Sequence, residues 1–194
     1  GSGKSTSLAL LRGLYLPEQV EVFCDGVKLQ GGLAQVYDHT TLVPQEPELF
    51  NSTVLDNITM DTRVGDGDLD KVIDLAQFRG VLERLPKGLE TRVLEKGVSL
   101  SGGEKQRLAL ARGLLAGWQS DFVLMDEPTS SVDFANEMRI YENVIEAFRD
   151  KTVISTVHNL SLLRYFDSVY LFEKGRLIAS GSFDELMSNE DFKR

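Results

Sequence analysis

Residues 100–133 read LSGGEKQRLALARGLLAGWQSDFVLMDEPTSSVD, and the order of residue types in this stretch decides the fold. Ser101, Gly102 and Gly103 stand before an apolar helical pattern that carries Leu108, Ala111, Leu114 and Leu115 inward, with Lys105, Gln106 and Arg107 clustered near its start. An N-cap role accounts for Ser101. It does not account for two glycines placed just inside a helix that would be more stable without them. The first backbone N–H groups of a helix lack intrahelical partners and the dipole adds partial positive charge, so a glycine-rich start offers an anion a seat. Phe122 to Met125 is a short apolar run that predicts a strand buried on both faces, and it ends in the acidic pair Asp126 and Glu127. Open α/β sheets bind ligands at that strand edge. The stretch therefore predicts a phosphate contact followed by a rigidly held site for a metal and a water.

The start of the chain points the same way. Gly1-Ser2-Gly3-Lys4-Ser5-Thr6 matches the second half of G-x-x-x-x-G-K-[ST], the loop whose N–H groups cradle phosphates while Lys reaches the β- and γ-phosphates and the hydroxyl binds Mg²⁺. The same residues could make a flexible linker, but an apolar run (Leu8, Leu10, Leu11) follows at once and argues for a helix. Two single residues follow predicted strands. Gln45 lies after Thr41-Leu42-Val43 and Pro44, where its carbonyl can face a metal and its amide a water. His158 lies just past the strand Thr152–Thr156, at the sheet edge that also holds Asp126. A lone Gln is usually a loop residue and a lone His usually structural, so position carries both assignments.

Composition bounds the remaining possibilities. With 194 residues, 42% of them hydrophobic, the chain suits one α/β domain with a full core and a small subdomain. The net charge of −9 sets aside a nucleic-acid surface as its main business, because such domains usually carry a basic excess. The apolar runs fall far short of the ~20 residues needed to cross a bilayer, so any membrane role comes through a partner. Cys24, the only cysteine, reads as a small core residue, and His39 as a surface or satisfied histidine.

Between the motifs the pattern predicts a helix ending near Pro17, a strand Val20–Cys24 closed by Asp25-Gly26, and a helical segment from about 61 to 97 whose second helix stops at Pro86-Lys87-Gly88. Beyond the acidic pair it predicts a helix from Phe134 to Phe148 packing Ile140, Val144, Ile145 and Phe148, then a buried strand Thr152–Thr156. A hairpin of 168–172 and 176–179 turns at Glu173-Lys174-Gly175, and a last helix spans Phe183–Met187.

Taken together these motifs resemble the ATP-binding cassette (ABC) ATPases. Gly1–Thr6 look like the end of Walker A, Gln45 like the Q-loop glutamine and Leu100–Glu104 like the signature motif. Phe122–Asp126 resemble Walker B, Ser130–Asp133 the D-loop, and His158 the H-loop histidine. Leu49–Ile58 and Thr91–Gly97 resemble the post-Q-loop stretch and the X-loop of exporter-type cassettes, although Leu94 stands where the latter pattern has Gly; Glu104 stands where many relatives have Gln. The resemblance implies a P-loop NTPase (RecA-like) α/β core with a mostly parallel sheet, formed by 1–50 and 117–194, plus an inserted α-helical signature subdomain, 51–116. It also implies that the match starts inside Walker A, with the preceding strands and the adenine-stacking aromatic lying upstream.

The resemblance further implies the site. ATP would be held by Gly1, Ser2, Gly3, Lys4, Ser5 and Thr6, and across a dimer by Ser101, Gly102, Gly103 and Glu104. Mg²⁺ would be held by Ser5, Gln45 and Asp126, with Glu127 as general base, Gln45 and His158 positioning water and γ-phosphate, and Asp133 communicating across the dimer. Expected partners are a second cassette, packed head-to-tail, and a transmembrane domain that keeps the chain at the cytoplasmic face of a membrane. Nucleic acid is not an expected partner. The favoured function is an export cassette. The alternative is a soluble cassette ATPase of DNA repair or translation, although 96 residues separate Lys4 from Ser101 with no heptads, where repair proteins carry long coiled coils. A cassette kept for ATP-dependent assembly without turnover is disfavoured by the presence of Glu127 and His158.

Overall fold

The structure is a computed structural model that describes residues 2–46, 48–60, 62, 64–93 and 100–188. Along the chain run α1 (Lys4–Arg12), β1 (Phe23–Cys24), β2 (Val27–Lys28), α2 (Ala34–Tyr37), β3 (Thr40–Val43), α3 (Val54–Thr59), α4 (Asp68–Leu75) and α5 (Arg79–Leu82). They are followed by α6 (Gly102–Gly117), β4 (Phe122–Asp126), α7 (Phe134–Ala147), β5 (Thr152–Thr156), β6 (Val169–Glu173), β7 (Arg176–Gly181) and α8 (Phe183–Ser188). Residues 39–155 form one compact unit, and 1–38 with 156–194 form another.

The 39–155 unit is built on the sheet β3-β4-β5. Its central strand β4 buries Val123, Leu124 and Met125 almost completely, as the unbroken apolar run predicts. β3 pairs with it in parallel, Thr40 opposite Phe122 and Val43 opposite Met125. β5 was expected to be buried. It is half-buried over most of its length, because it stands at one edge of this sheet.

Helix α6 lies close against the sheet because one of its faces is lined by small residues. Gly113 faces Val43 and Gly117 faces Val123 and Phe148, and a methyl group on Gly113 would fall inside the contact envelope of Val43 Cγ2. Alanine at position 113 should gain about 1 kcal/mol of helix propensity. It should lose about 1–3 kcal/mol to overpacking against a side chain that is itself buried. We therefore expect Gly113→Ala to lower the urea midpoint at unchanged slope; a raised midpoint would show that α6 and β3 have room to spare.

On its other sides α6 receives α3 and α4, which bury Val54, Ile58, Val72 and Ile73. α3 starts with a reciprocal cap between Thr53 and Asp56. The helical region between 64 and 93 is more broken than its periodicity predicts. α5 stops at Leu82 instead of Pro86, and Gln77 takes a left-handed conformation (φ 53°) between α4 and α5. α7 buries Ile140, Tyr141 and Val144, with Ile145 only half-buried. Phe148 follows fully buried, its ring 5.4 Å from that of Trp118.

In the other unit, α1 ends at Gly13 (φ 82°), four residues before Pro17. The Gly13 and Leu14 N–H groups close back on Leu10 and Ala9 carbonyls, which ends the helix without any proline. β1 and β2 form a small hairpin around the expected turn Asp25-Gly26, both left-handed, and of the strand expected over Val20–Cys24 only the last two residues form β1. Cys24 is exposed there and is not a core residue. β6 and β7 form the expected hairpin, but its turn is the two left-handed residues Lys174-Gly175, and Glu173 pairs with Arg176. Leu163, Val169 and Leu186 make a local core with Val157, Ala179 and Phe183. Gly1 and residues 94–97 of the X-loop-like stretch lie outside the described residues. Arg92 and Val93 pair with the residues before α3, at Thr53 and Ser52.

Candidate functional site

The register of β3 on β4 builds the centre of the site. Val43 stands opposite Met125, and the same offset carried two residues on brings Gln45 level with Glu127. There the Gln45 side-chain amide Nε2 donates to Glu127 Oε2 at 2.9 Å. Asp126 is the last residue of β4, so the acidic pair sits at the carboxyl edge of the parallel pair, as predicted. Glu127 adopts φ 45°, a left-handed conformation uncommon outside glycine and costly to hold. Its own carbonyl accepts from Ser130 N–H at 3.2 Å, which starts the turn Thr129–Val132.

That turn packs on the start of α6. Ser101 Oγ accepts from Glu104 N–H at 3.3 Å and Glu104 Oε2 accepts from Ser101 N–H at 2.8 Å, a complete capping box. Arg84 pairs with the same carboxylate at 2.5 Å. Partial burial disfavours the Glu104 charge, but the Ser101 N–H and hydroxyl and the Arg84 guanidinium outweigh it and hold the carboxyl below its usual range. One of the two glycines, Gly103, has a packing reason that periodicity does not reveal, whereas a methyl on Gly102 would make only an ordinary contact. A methyl on Gly103 would stand 2.5 Å from the Ser131 carbonyl oxygen, and one on Gly102 would stand 3.6 Å from Ser131 Cβ. Asp133 caps α7, and the hydrogen bonds from the Asn136 side chain and N–H lower its pKa.

Three residues that organise this unit were not picked out from the sequence. Gln106 is buried and bonds to Gln45 O, Ser130 Oγ and Ser131 N. Arg112 donates to the Asn57 and Glu48 carbonyls and lies 5.2 Å from the Phe50 ring centroid; burial lowers its pKa. Asn57 is fully buried and holds Phe50 through both its N–H and its carbonyl. A signal existed for Gln106: it shares the helical face of Gly103, Leu110, Gly113 and Gly117, where an uncharged polar side chain needs partners.

The other unit carries Ser2–Thr6 and His158. Gly3 takes φ 104° at the start of α1 and offers no capping side chain. Gly175 N–H donates to Ser2 O at 2.9 Å, and a methyl on Gly3 would meet Gly175 Cα at 3.2 Å, so the β6–β7 turn braces this loop. Lys4 is half-buried, Ser5 and Thr6 are exposed, and His158 is exposed just past β5.

The family model described as ABC transporter matches residues 1–130. The chain is 35% identical over its whole length to the glutathione/L-cysteine transport system ATP-binding/permease protein CydD of Bacillus subtilis, of which it covers 34%. It is 33% identical over 99% of its length to the transport/processing ATP-binding protein ComA of Streptococcus pneumoniae, covering 27%, and 35% identical over 98% to the ATP-dependent lipid A-core flippase of Photobacterium profundum, covering 33%. The chain thus spans about a third or less of these relatives. A solved bacterial Atm1-family ABC exporter with ATP bound superposes with a TM-score of 0.83 at 32% identity, over 96% of this chain and 33% of that one. With an α/β fold, the strand-end acidic pair and the glycine-started helix already in place, these matches mean that the chain belongs to the ABC transporter family and has the fold of its ATP-binding domains.

Proposed function

We propose that this chain is the ATP-hydrolysing cassette of an exporter, and that two cassettes close head-to-tail on ATP to drive a transmembrane domain. The observation that carries the reading is the 2.9 Å contact between Gln45 and Glu127 at the carboxyl edge of β3 and β4. It orients a carboxylate beside the residue expected to hold a metal. The relatives named above are transport proteins, and none of them supports the soluble alternative.

The residues fit a magnesium nucleotide. Gly3 leaves the start of α1 without a side chain that would fill a phosphate cradle, and Lys4 follows it. Among the described residues no group of three His, Cys, Asp or Glu side chains could hold a metal. Mg²⁺ suits such a site, since one or two carboxylates are enough to bind it and phosphates, water and neutral oxygens complete its shell. Ser5, Asp126 and Gln45 would hold it, and when bound it neutralises phosphate charge. Lys4 would bind the β- and γ-phosphates, with Gly1, Ser2, Gly3 and Thr6 completing the loop. Glu127 would take the proton from water, Gln45 would hold its carboxylate, and His158 would orient the γ-phosphate. Ser101–Glu104 would face the nucleotide of the second cassette, and Asp133 would relay its state. The functional division into a core of 1–50 and 117–194 and a signature subdomain of 51–116 belongs to the same proposal.

Among the described residues no helix is long and apolar enough to cross a membrane, so placement at the cytoplasmic face would come from the transmembrane partner. Sedimentation of the Glu127→Gln form with and without Mg-ATP tests the closure. Nucleotide-dependent doubling of mass is expected; a monomer at saturating Mg-ATP, both in this chain and in one extended at its N-terminus, would overturn the head-to-tail sandwich.

A further inference from the structure

We propose that Gln106 is a positioning residue that sets the geometry of Glu127 by clamping the two segments that hold it. The inference rests on the assignment of Glu127 as general base. Gln106 projects from the first turns of α6 and is 6% exposed. Its Nε2 donates to the Gln45 carbonyl at 3.2 Å and to Ser130 Oγ at 2.8 Å, while its Oε1 accepts from Ser131 N–H at 2.7 Å. One carboxamide therefore ties the loop after β3 to the turn after β4.

Both segments bear on Glu127. Gln45 holds its carboxylate through Nε2, and Ser130 N–H holds its main-chain carbonyl. Glu127 sits between them in a left-handed conformation that its surroundings must impose. Gln106 touches Glu127 through neither contact, so its effect runs through Gln45 and the Ser130–Ser131 turn. The close seat of Gly103 on the Ser131 carbonyl keeps α6 near enough for this reach.

Only a carboxamide satisfies all three bonds, because two N–H donors and an acceptor must sit on one planar group. Glutamate keeps the acceptor for Ser131 N–H, and the Ser130 hydroxyl can turn to donate to it, but the Gln45 carbonyl loses its donor and meets a like-charged oxygen. Methionine keeps the length and volume and loses every bond. The two substitutions therefore separate the Gln45 arm of the clamp from the whole of it.

The test is steady-state ATP hydrolysis by the full-length protein carrying Gln106→Met or Gln106→Glu, each also made in the Glu127→Gln background. A small displacement of a catalytic group costs on the order of 10–100-fold, so kcat should fall by that much in Gln106→Met with the KM for ATP within about twofold. Gln106→Glu should fall between wild type and Gln106→Met. In the Glu127→Gln background neither change should lower the residual rate further, since the effect runs through Glu127. A Gln106→Met protein with wild-type kcat, or one that loses the same factor with and without Glu127, overturns the proposal. Should the methionine form fail to fold, the glutamate pair decides in the same way. If Glu127→Gln alone leaves hydrolysis intact, the assignment of the general base fails and the positioning role with it, and that outcome is read from a different protein.

Discussion

Glu127→Gln should lower the rate of ATP hydrolysis about 10²–10⁴-fold, the range a positioned general base contributes. Binding of Mg-ATP should be little changed. The substitution is isosteric and leaves Asp126 and the Ser2–Thr6 segment intact. Gln45 Nε2 now donates to Glu127 Oε2 at 2.9 Å, and the amide oxygen of the substituted side chain could accept the same hydrogen bond. What disappears is a group able to take a proton from water, because a neutral amide is not a base at any working pH. Single-turnover hydrolysis beside nucleotide-binding titrations separates the two effects. A fall in affinity with hydrolysis per bound nucleotide unchanged would assign Glu127 to binding and leave the reaction without a base.

Phe148→Ala should cost about 3–5 kcal/mol of folding stability, the usual range for removing a fully buried aromatic side chain. Phe148 has no exposed surface, and its ring lies against Trp118 and the Gly117 face of α6. It joins α7 to the end of α6 at Gly117, so the cavity would open beneath the helix that carries Gly103 and Gln106. Little can move in to fill it, since Val123, which faces Gly117 beside it, belongs to the central strand. Domains of this kind have about 5–15 kcal/mol of stability in total, so the loss is a large part of it. Urea unfolding followed by tryptophan fluorescence, with Trp118 as the only reporter, should show a much lower midpoint. A shift of less than about 1 kcal/mol would mean that the site collapses around the missing ring.

The places of most candidate site residues on strand ends and helix starts were legible because the motifs that carry them are local in sequence. Ser101-Gly102-Gly103, Asp126-Glu127 and Gly3-Lys4-Ser5 each mark the end of a strand or the start of a helix, and in α/β folds those ends are where ligands bind. The element boundaries were legible only in part. The turn Asp25-Gly26 falls where it was predicted, but Gly13 stops α1 before Pro17 can, and the left-handed pair Lys174-Gly175 tightens the last hairpin to a two-residue turn. In both departures a backbone conformation outranked the apolar pattern. Cys24 shows the same limit, since an apolar run marks a core strand only if something covers it.

The sequence by itself determined the fold class, the order of the elements and which residues stand at their ends, because periodicity and helix- and strand-end chemistry are properties of neighbours along the chain. The tertiary structure alone decided which of those ends meet. It brought Gln45 to Glu127 across 82 positions, tied Gln106 to the Gln45 carbonyl across 61, and laid Gly103 against the Ser131 carbonyl. Those contacts depend on strand register and on how closely α6 can approach the sheet and the turn after β4. Both are set by side-chain volumes packing in three dimensions, which no reading of spacing along the chain contains.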